Sequence, residues 1–373
     1  AEFYTHGGVV VSAMVYSALL AAGARAAEAG EYTRRAFLNG KMDLTKAEAV
    51  IDLIHAQSEA AAASAAVQLS GGLYEKIAAL EALLLDADST MMAVIDFPEE
   101  GLAPPDLAEI RTLLSKASTG FERLAAGFTA GQALKEGIPT AIIGRPNAGK
   151  SSLMNLLCGR KRSIVTDIPG TTRDVVAHTA PMGPFLLRLA DTAGIRATDD
   201  VIEREGVKLA GQMAKEASLI LAVFDGAAPL SWEDDQVMAL CAGKRAIALV
   251  NKEDLGIEAD LDRIRAHFKH VLPFSALTGA GLEELRRLVS EIYAPAAGLD
   301  LSEAIVTSKR HAQLLSQAKD EIDQALAQLD FGATIDLVAN MVEEGMRTLG
   351  KITGKTVSEE VIDTIFSRFC VGK

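Results

Sequence analysis

Eight residues near the middle of the chain have the types and order of a phosphate-binding loop. Residues 144–151 read Gly-Arg-Pro-Asn-Ala-Gly-Lys-Ser and match the pattern G-x-x-x-x-G-K-[ST] between a predicted strand and a helical stretch. Glycines let backbone N–H groups converge on phosphate oxygens, Lys150 can reach the β- and γ-phosphates, and the Ser151 hydroxyl can ligate Mg²⁺. The predicted nucleotide contacts here are Asn147, Ala148, Gly149, Lys150, Ser151 and Ser152.

Three shorter motifs follow in an order that indicates a guanine nucleotide. The carboxylate of residues 191–194 can hold Mg²⁺ through water, and the glycine N–H can sense a γ-phosphate. In residues 251–254, an aspartate can accept hydrogen bonds from N1–H and the 2-amino group of guanine, donors that adenine does not offer together. Residues 275–277 can supply an N–H to the guanine carbonyl. The predicted contacts are Asp191, Thr192, Ala193, Gly194, Asn251, Lys252, Asp254, Ser275, Ala276 and Leu277.

A Thr-containing segment between the first two motifs has the composition of a nucleotide-sensing loop. A threonine hydroxyl there can complete Mg²⁺ coordination only when the γ-phosphate is present, so GTP would order the segment and hydrolysis would release it. An ordinary turn around a glycine is the alternative. The predicted contacts are Pro169, Gly170, Thr171 and Thr172, with Ser151 and Thr172 as the Mg²⁺ ligands.

The source of catalytic positive charge is not evident from these motifs. Ile195 follows Gly194, where Ras-type enzymes place a glutamine that orients water. Arg173 and Arg196 are candidates for a charge donor, but their spacing does not single out either one. Charge neutralisation must therefore come from elsewhere.

Short apolar runs alternate with helical stretches between residues 137 and 295, which is typical of a mostly parallel sheet covered by helices. On both sides of this region, apolar residues recur every three or four positions, and each helical flank needs a partner for its apolar face. We therefore predict a Ras-like P-loop G domain of the α/β class, inserted into an all-α helical domain. The predicted strands are Ala141–Ile143, Phe185–Leu189, Leu219–Phe224, Ala246–Val250 and Val271–Phe274, and the flanking stripes are Leu73–Leu84 and Leu314–Leu329.

Charge and cysteine content exclude several classes of protein. The net charge of −13 argues against broad, sequence-independent nucleic-acid binding, which needs a basic surface, although a local basic patch or a partner could supply one. The three cysteines form no C-x-x-C pair, which argues against a disulfide framework or zinc site and favours the cytoplasm. Residues 7–24 carry no charge and touch the lower length limit for a membrane span, but Gly, Ser and Tyr residues favour a helix buried in its own domain.

Five sequence runs together resemble one family of GTPases. Residues 144–152 and 167–174, with Asp191–Gly194, are similar to the potassium-dependent class that includes Era and MnmE. The run 30–44, the C-terminal Phe369–Lys373 and the inserted G domain narrow the resemblance to the MnmE (TrmE) family, which modifies the wobble uridine of certain tRNAs. The resemblance covers essentially the whole chain.

The resemblance implies roles for residues that spacing alone does not assign. The Asn147 side chain and backbone oxygens around Thr166, Ile168 and Thr171 would hold K⁺ against the phosphates, where it stands in for an arginine finger. Glu203 matches the glutamate that orients the attacking water; its alternative is a solvated carboxylate on a helix face. Thr166, Asp167 and Ile168 join the predicted GTP-binding segment.

A tetrahydrofolate one-carbon carrier is the further ligand implied by the family. Residues 1–41 correspond to the remnant of an N-terminal α+β folate-binding domain, followed by the helical domain (42–136 and 296–373) with the G domain (137–295) between. Cys370 would lie beside the folate site, with a free inert thiol as the alternative. The matching folate positions are Glu2, Lys41 and Lys373.

The family also implies partners: a homodimer, a heterotetramer with the FAD-dependent protein MnmG, and tRNA, with no membrane. GTP hydrolysis would drive opening and closing of paired G domains. One alternative is an Era-like ribosome-assembly GTPase, which should carry a basic RNA-binding domain after its G domain. The other is a pure signalling switch, which should not need Lys41 or Lys373 beside a helical domain.

Overall fold

The computed structural model describes residues 2–96, 106–159, 178–189, 211–294, 303–367 and 369. The chain divides into two compact units. The first comprises residues 1–55, 66–121 and 314–373, and the second comprises residues 56–65 and 122–313. Segments from both ends of the chain thus form one unit, which confirms that the other is inserted. The predicted domain boundaries at residues 41, 136 and 295 stay predictions.

Helices account for most of the described residues outside the sheet. Those before the first strand are α1 (Val9–Ala21), α2 (Glu31–Leu38), α3 (Leu44–Ile54), α4 (Glu59–Leu69), α5 (Gly72–Asp96), α6 (Leu107–Ala126) and α7 (Phe128–Glu136). Those that follow are α8 (Lys150–Cys158), α9 (Trp232–Cys241), α10 (Leu261–His267), α11 (Leu282–Ile292), α12 (Lys309–Phe331), α13 (Ile335–Thr353) and α14 (Glu359–Phe366).

In the first unit, the core forms where α5 packs against α13. Leu73, Ile77 and Leu84 of the predicted stripe on α5 are fully buried, and so are Val338 and Val342 on α13. Burial of each such side chain stabilises the fold by about 1.5–3 kcal/mol before conformational entropy is counted. The three-and-four spacing of apolar residues therefore predicted this interface correctly.

An aromatic cluster joins the two sequence runs that carry the family resemblance. The ring of Phe366 on α14 lies 6.2 Å from that of Phe37 on α2 and 5.2 Å from that of Phe369, between ring centroids. Arg34 Nη2 donates to Asp363 Oδ1 at 2.7 Å beside the cluster. Gly354 has φ of +94°, and a Cβ there would lie 2.6 Å from the Phe37 ring, so the close approach requires glycine.

The uncharged segment near the N-terminus forms a helix, α1, but the prediction that it is buried in its own domain is wrong. None of its residues is buried, and Val9 is 88% exposed. A helix that is apolar on all sides is expected to be covered on every face, and the described residues supply no such cover for α1. Within the described residues, no helix is both long and apolar enough to cross a membrane.

The second unit contains a six-stranded sheet in the order β2-β3-β1-β4-β5-β6, parallel except for the antiparallel pair β2–β3. All five predicted strands are present, within three residues of their predicted ends, and this strand order is that of a Ras-like G domain. β2 was missed, because Pro181 reads against a strand; it lies at the sheet edge, where proline is tolerated. The strands are β1 (Ile138–Ile143), β2 (His178–Met182), β3 (Phe185–Leu189), β4 (Leu219–Asp225), β5 (Ala246–Asn251) and β6 (His270–Pro273).

Apolar side chains on both faces of the sheet are buried, as near-continuous apolar strands predict. Along β4, Leu221 and Val223 enter one core, while Ile220, Ala222 and Phe224 enter the core on the opposite face. This alternation follows the two-residue period of a strand. The sheet therefore lies between two apolar cores, and polar loops follow the ends of its strands.

Candidate nucleotide-binding site

The predicted phosphate-binding loop connects β1 to α8, as its motif requires. Gly149 precedes α8 with φ of +99°, and Asn147 has φ of +59°, an uncommon value for a residue with a side chain. A Cβ at Gly144 would lie 2.3 Å from the Val223 carbonyl oxygen, and one at Gly149 would lie 2.0 Å from Asn251 Nδ2. Both glycines are needed because neighbouring strands leave no room for a side chain.

The Lys150 ammonium lies across this loop. Its Nζ donates to the carbonyl oxygens of Gly144 and Arg145, each at 2.8 Å. Burial lowers the pKa of Lys150, and the Glu233 carboxylate partly opposes this shift. The ammonium is thus positioned by the loop backbone at the N-terminus of α8, where free N–H groups favour a bound anion.

An Asn side chain joins the phosphate-binding loop to the loops after β5 and β6. Asn251 Nδ2 donates to the Ala148 carbonyl at 2.8 Å, and the Ala276 N–H donates to Asn251 Oδ1 at 2.9 Å. Asn251 is only 3% exposed, so both bonds are shielded from water. Three of the predicted motifs are therefore brought to the same edge of the sheet by this one amide.

The predicted base-recognition residues lie beside that junction. Ser275 Oγ donates to Asp254 Oδ1 at 2.5 Å, which orients the carboxylate. Asp254 is exposed, and its second oxygen makes no hydrogen bond within the described residues. Because the Ala276 N–H is engaged by Asn251, the Leu277 N–H is the donor of this loop that remains free for a ligand carbonyl.

A charged network under the loop was not predicted from the sequence. Arg145 lies 3.8 Å from Asp225 Oδ2 and 3.6 Å from Asp234 Oδ2, while Lys252 Nζ contacts Asp225 Oδ2 at 2.6 Å. Asp234 is fully buried and accepts the backbone N–H of Ser231 at 2.8 Å. Two features of the sequence pointed to parts of this network: Asp225 ends a buried strand, and residues 231–234 have the pattern of a helix-capping box.

The described part of the chain contains only some of the predicted site residues. The folate positions Glu2 and Lys41 are both exposed, and Glu2 accepts a hydrogen bond from the Tyr4 hydroxyl at 2.5 Å. Glu2 and Lys41 do not contact each other. The predicted residues that lie outside the described residues are Thr166, Asp167, Ile168, Pro169, Gly170, Thr171, Thr172, Asp191, Thr192, Ala193, Gly194, Glu203, Cys370 and Lys373.

Similarity to known proteins decides the family. The model of the MnmE helical domain matches residues 44–370, and that of the GTP-binding protein TrmE N-terminus matches residues 1–41. The tRNA modification GTPase MnmE of Geobacter metallireducens is 40% identical over 375 residues, covering 100% of this chain and 81% of that protein. The chain belongs to the MnmE family. The MnmE protein of Geobacillus thermodenitrificans is 42% identical over 382 residues, with 100% and 81% coverage.

Membership of the MnmE family rules out the Era-like alternative as the family of this chain. The helical-domain model continues past the G domain to residue 370, where an Era-like protein should carry a basic RNA-binding domain. A crystal structure of Era with MgGDPNP and part of 16S ribosomal RNA covers 50% of this chain and 65% of that chain at 29% identity. Its TM-score of 0.32 is too low to bear on function.

The Asn251 amide should be critical for the stability of the second unit. We expect Asn251→Ala to lower the free energy of unfolding by about 2–5 kcal/mol, because it leaves the Ala148 carbonyl and the Ala276 N–H buried without partners. Urea denaturation of the nucleotide-free chain, followed by far-UV circular dichroism, measures this loss. Asn155→Ala, an exposed site on α8, is the control. Equal stability of the two variants would contradict the bridging role.

Proposed function

We propose that this chain is a GTP hydrolase that acts within a tRNA-modifying complex at C5 of the wobble uridine. The observation that carries the proposal is the Asn251 junction, which holds the phosphate loop and the base-recognition residues at one edge of the sheet. Open α/β sheets bind ligands at this carboxyl edge of their strands. Family membership supports the tRNA part, since relatives are named tRNA modification GTPases.

The site chemistry fits a guanine nucleotide. The free oxygen and the Ser275-held oxygen of Asp254 can accept N1–H and the 2-amino group of guanine, and the Leu277 N–H can donate to the guanine carbonyl. At the other end, the N-terminus of α8 and the Lys150 ammonium can neutralise the phosphates. On nucleotide binding, the Lys150 ammonium would replace its hydrogen bonds to two loop carbonyls with hydrogen bonds to phosphate oxygens, while staying beside the same loop.

Two cations belong to the proposal. The Ser151 hydroxyl, exposed at the start of α8, would hold Mg²⁺ together with Thr172. The bound Mg²⁺ would supply Lewis-acid stabilisation of the phosphates. Asn147 would hold K⁺, with backbone oxygens of Thr166, Ile168 and Thr171. Asn147 fits this role because its side chain is exposed on the loop and makes no hydrogen bond within the described residues.

The remaining parts of the proposal follow from the family resemblance. The chain would act as a homodimer in the cytoplasm and assemble with FAD-dependent MnmG, with paired G domains closing on GTP and opening after hydrolysis. Glu203 would orient the attacking water. Glu2, Lys41 and Lys373 would contact a tetrahydrofolate one-carbon derivative, which supplies a carbon atom when bound.

Base recognition by Asp254 is tested by a change of one atom in the side chain. Asp254→Asn should weaken GDP binding by about 1.5–3 kcal/mol, since it removes a charge-assisted acceptor. The introduced amide can instead donate to the 2-carbonyl of xanthine, so xanthosine diphosphate should bind more tightly than to the wild type. Titration calorimetry measures both affinities, with Glu253→Gln on the same turn as control. Unchanged GDP affinity would refute the assignment.

Water orientation by Glu203 is tested by single-turnover hydrolysis. Glu203→Ala should slow hydrolysis and leave GTP affinity nearly unchanged, because an oriented water contributes only in the transition state. Glu205→Ala removes a neighbouring carboxylate and is the matched control. If both variants hydrolyse GTP at the wild-type rate, Glu203 is a solvated surface carboxylate.

The potassium proposal rests on Asn147, since Ile195 cannot orient water and no arginine finger is evident. We expect faster hydrolysis in KCl than in NaCl at equal ionic strength, because Na⁺ is too small to reach a side-chain oxygen, backbone carbonyls and phosphates together. Asn147→Ala should abolish this preference and retain Mg²⁺-dependent GTP binding, whereas Asn155→Ala should not. Turnover must be measured at protein concentrations that allow G domains to pair.

Equal rates in the two salts, with the wild type fully loaded with GTP, would remove the potassium mechanism. Arg173 and Arg196 would then be the charge donors to test by substitution.

A further inference from the structure

A cavity of about 490 Å³ opens at the edge of the sheet opposite the nucleotide site. The turn before β5, the end of α10 and the end of α11 line it, at the positions where β5 and β6 begin. β5 runs from Ala246 at this cavity to Asn251 at the nucleotide junction. The two sites therefore lie at opposite ends of this strand, in which each of the six residues advances the chain by about 3.3 Å.

Three basic side chains without a carboxylate partner among the described residues line this cavity. Lys244, Arg245 and Lys269 line it and are exposed, and none of them forms an ion pair with a carboxylate in the described part of the chain. The Lys244 ammonium donates to the Ala214 carbonyl. Glu291 is the one acidic residue in the lining, and Arg287 already binds it at 2.5 Å.

Arginines close to the cavity are, by contrast, neutralised. Arg263 pairs with Asp235 at 2.6 Å, Arg265 pairs with Asp262 at 3.2 Å, and Arg286 pairs with Glu283. In a chain of net charge −13, cations are therefore paired on the neighbouring helices and left unpaired around the cavity. Unpaired cations that converge on a concave surface favour an anionic ligand.

The cavity is suited to binding rather than to covalent chemistry. Burial raises the pKa of the Cys241 thiol to about 12, so the lining cysteine stays protonated and unreactive at neutral pH. The Arg245 guanidinium lies over the Tyr293 ring, 5.5 Å from its centroid. Stacking of this kind holds the planar cation in one orientation. Arg245 also hydrogen-bonds the Tyr293 side chain, and because a guanidinium has five N–H donors, others remain for a phosphate.

We propose that Lys244, Arg245 and Lys269 form a binding site for phosphates of an RNA backbone, and that tRNA is the RNA. This inference rests on the proposed function for the identity of the RNA. Arg and Lys side chains are among the groups that contact phosphates, and such contacts position a nucleic acid without reading its sequence. The site would anchor tRNA at the sheet edge that GTP does not use.

The test is the salt dependence of tRNA binding by the full chain loaded with GDP. A fluorescent tRNA transcript is titrated at several KCl concentrations with the wild type and with the triple variant Lys244→Gln, Arg245→Gln, Lys269→Gln. We expect about tenfold or greater weakening and a fall of about 2 in the slope of log K against log[salt], since each phosphate contact contributes about 0.7–0.9.

A matched variant removes the same charge from paired arginines of the same unit: Arg263→Gln, Arg265→Gln, Arg286→Gln. It should change the salt slope by less than about 1, because these side chains are engaged by carboxylates. Unchanged GDP affinity shows that both variants are folded. A parallel titration with fluorescent polyglutamate tests an acidic protein segment as the ligand.

Equal weakening in the two triple variants, no weakening in either, or no tRNA binding by the wild type would each overturn the proposal. Loss of polyglutamate binding with retention of tRNA binding would overturn it in favour of an acidic protein partner. GTP hydrolysis in KCl is measured separately, so failure of the RNA site is distinguishable from failure of the GTPase.

Discussion

The nucleotide site depends on one buried side chain, Asn251, which donates to the phosphate loop and accepts from the loop after β6. Only an amide of this length supplies both a donor and an acceptor here: aspartate lacks the donor, and glutamine is longer by a methylene group. The neighbouring backbone is adapted to this amide, since a Cβ at Gly149 would lie 2.0 Å from its nitrogen. The two loops proposed to contact phosphate and base are therefore held in a fixed spacing before any ligand is present.

Much of the fold was predictable where one physical requirement determines residue type. Burial on both faces requires continuous apolar strands, so β1, β3, β4, β5 and β6 could be placed from sequence. The position of the phosphate-loop motif between β1 and α8 was predictable for a similar reason, because backbone N–H groups can converge on a phosphate only where glycines permit. The stripe on α5 likewise follows from helix geometry: Leu73, Ile77 and Leu84 are buried as expected, and Leu80 is partly buried.

The features missed from sequence depend on contacts between distant residues. β2 contains Pro181, which is acceptable because β3 pairs with one of its edges and, among the described residues, no strand pairs with the other. The network of Arg145, Asp225 and Asp234 joins three separate segments, and no local motif in any of them predicts these ion pairs. The exposure of α1 was equally unpredictable, since a uniformly apolar helix does not indicate what covers it. Tertiary placement, rather than local propensity, decides each of these features.

The two ends of the sheet can evolve separate functions because the strands between them are mostly apolar and buried. Loops at the carboxyl ends of β1, β5 and β6 are constrained by the Asn251 amide and by close backbone contacts at two glycines. The turn before β5 has no such close contact, since a Cβ at Gly243 would meet nothing within 4 Å, and charged residues such as Lys244 can occupy it without altering nucleotide geometry. An acidic chain can therefore carry a local cationic site at one sheet edge while the other edge keeps the spacing that guanine and phosphate require.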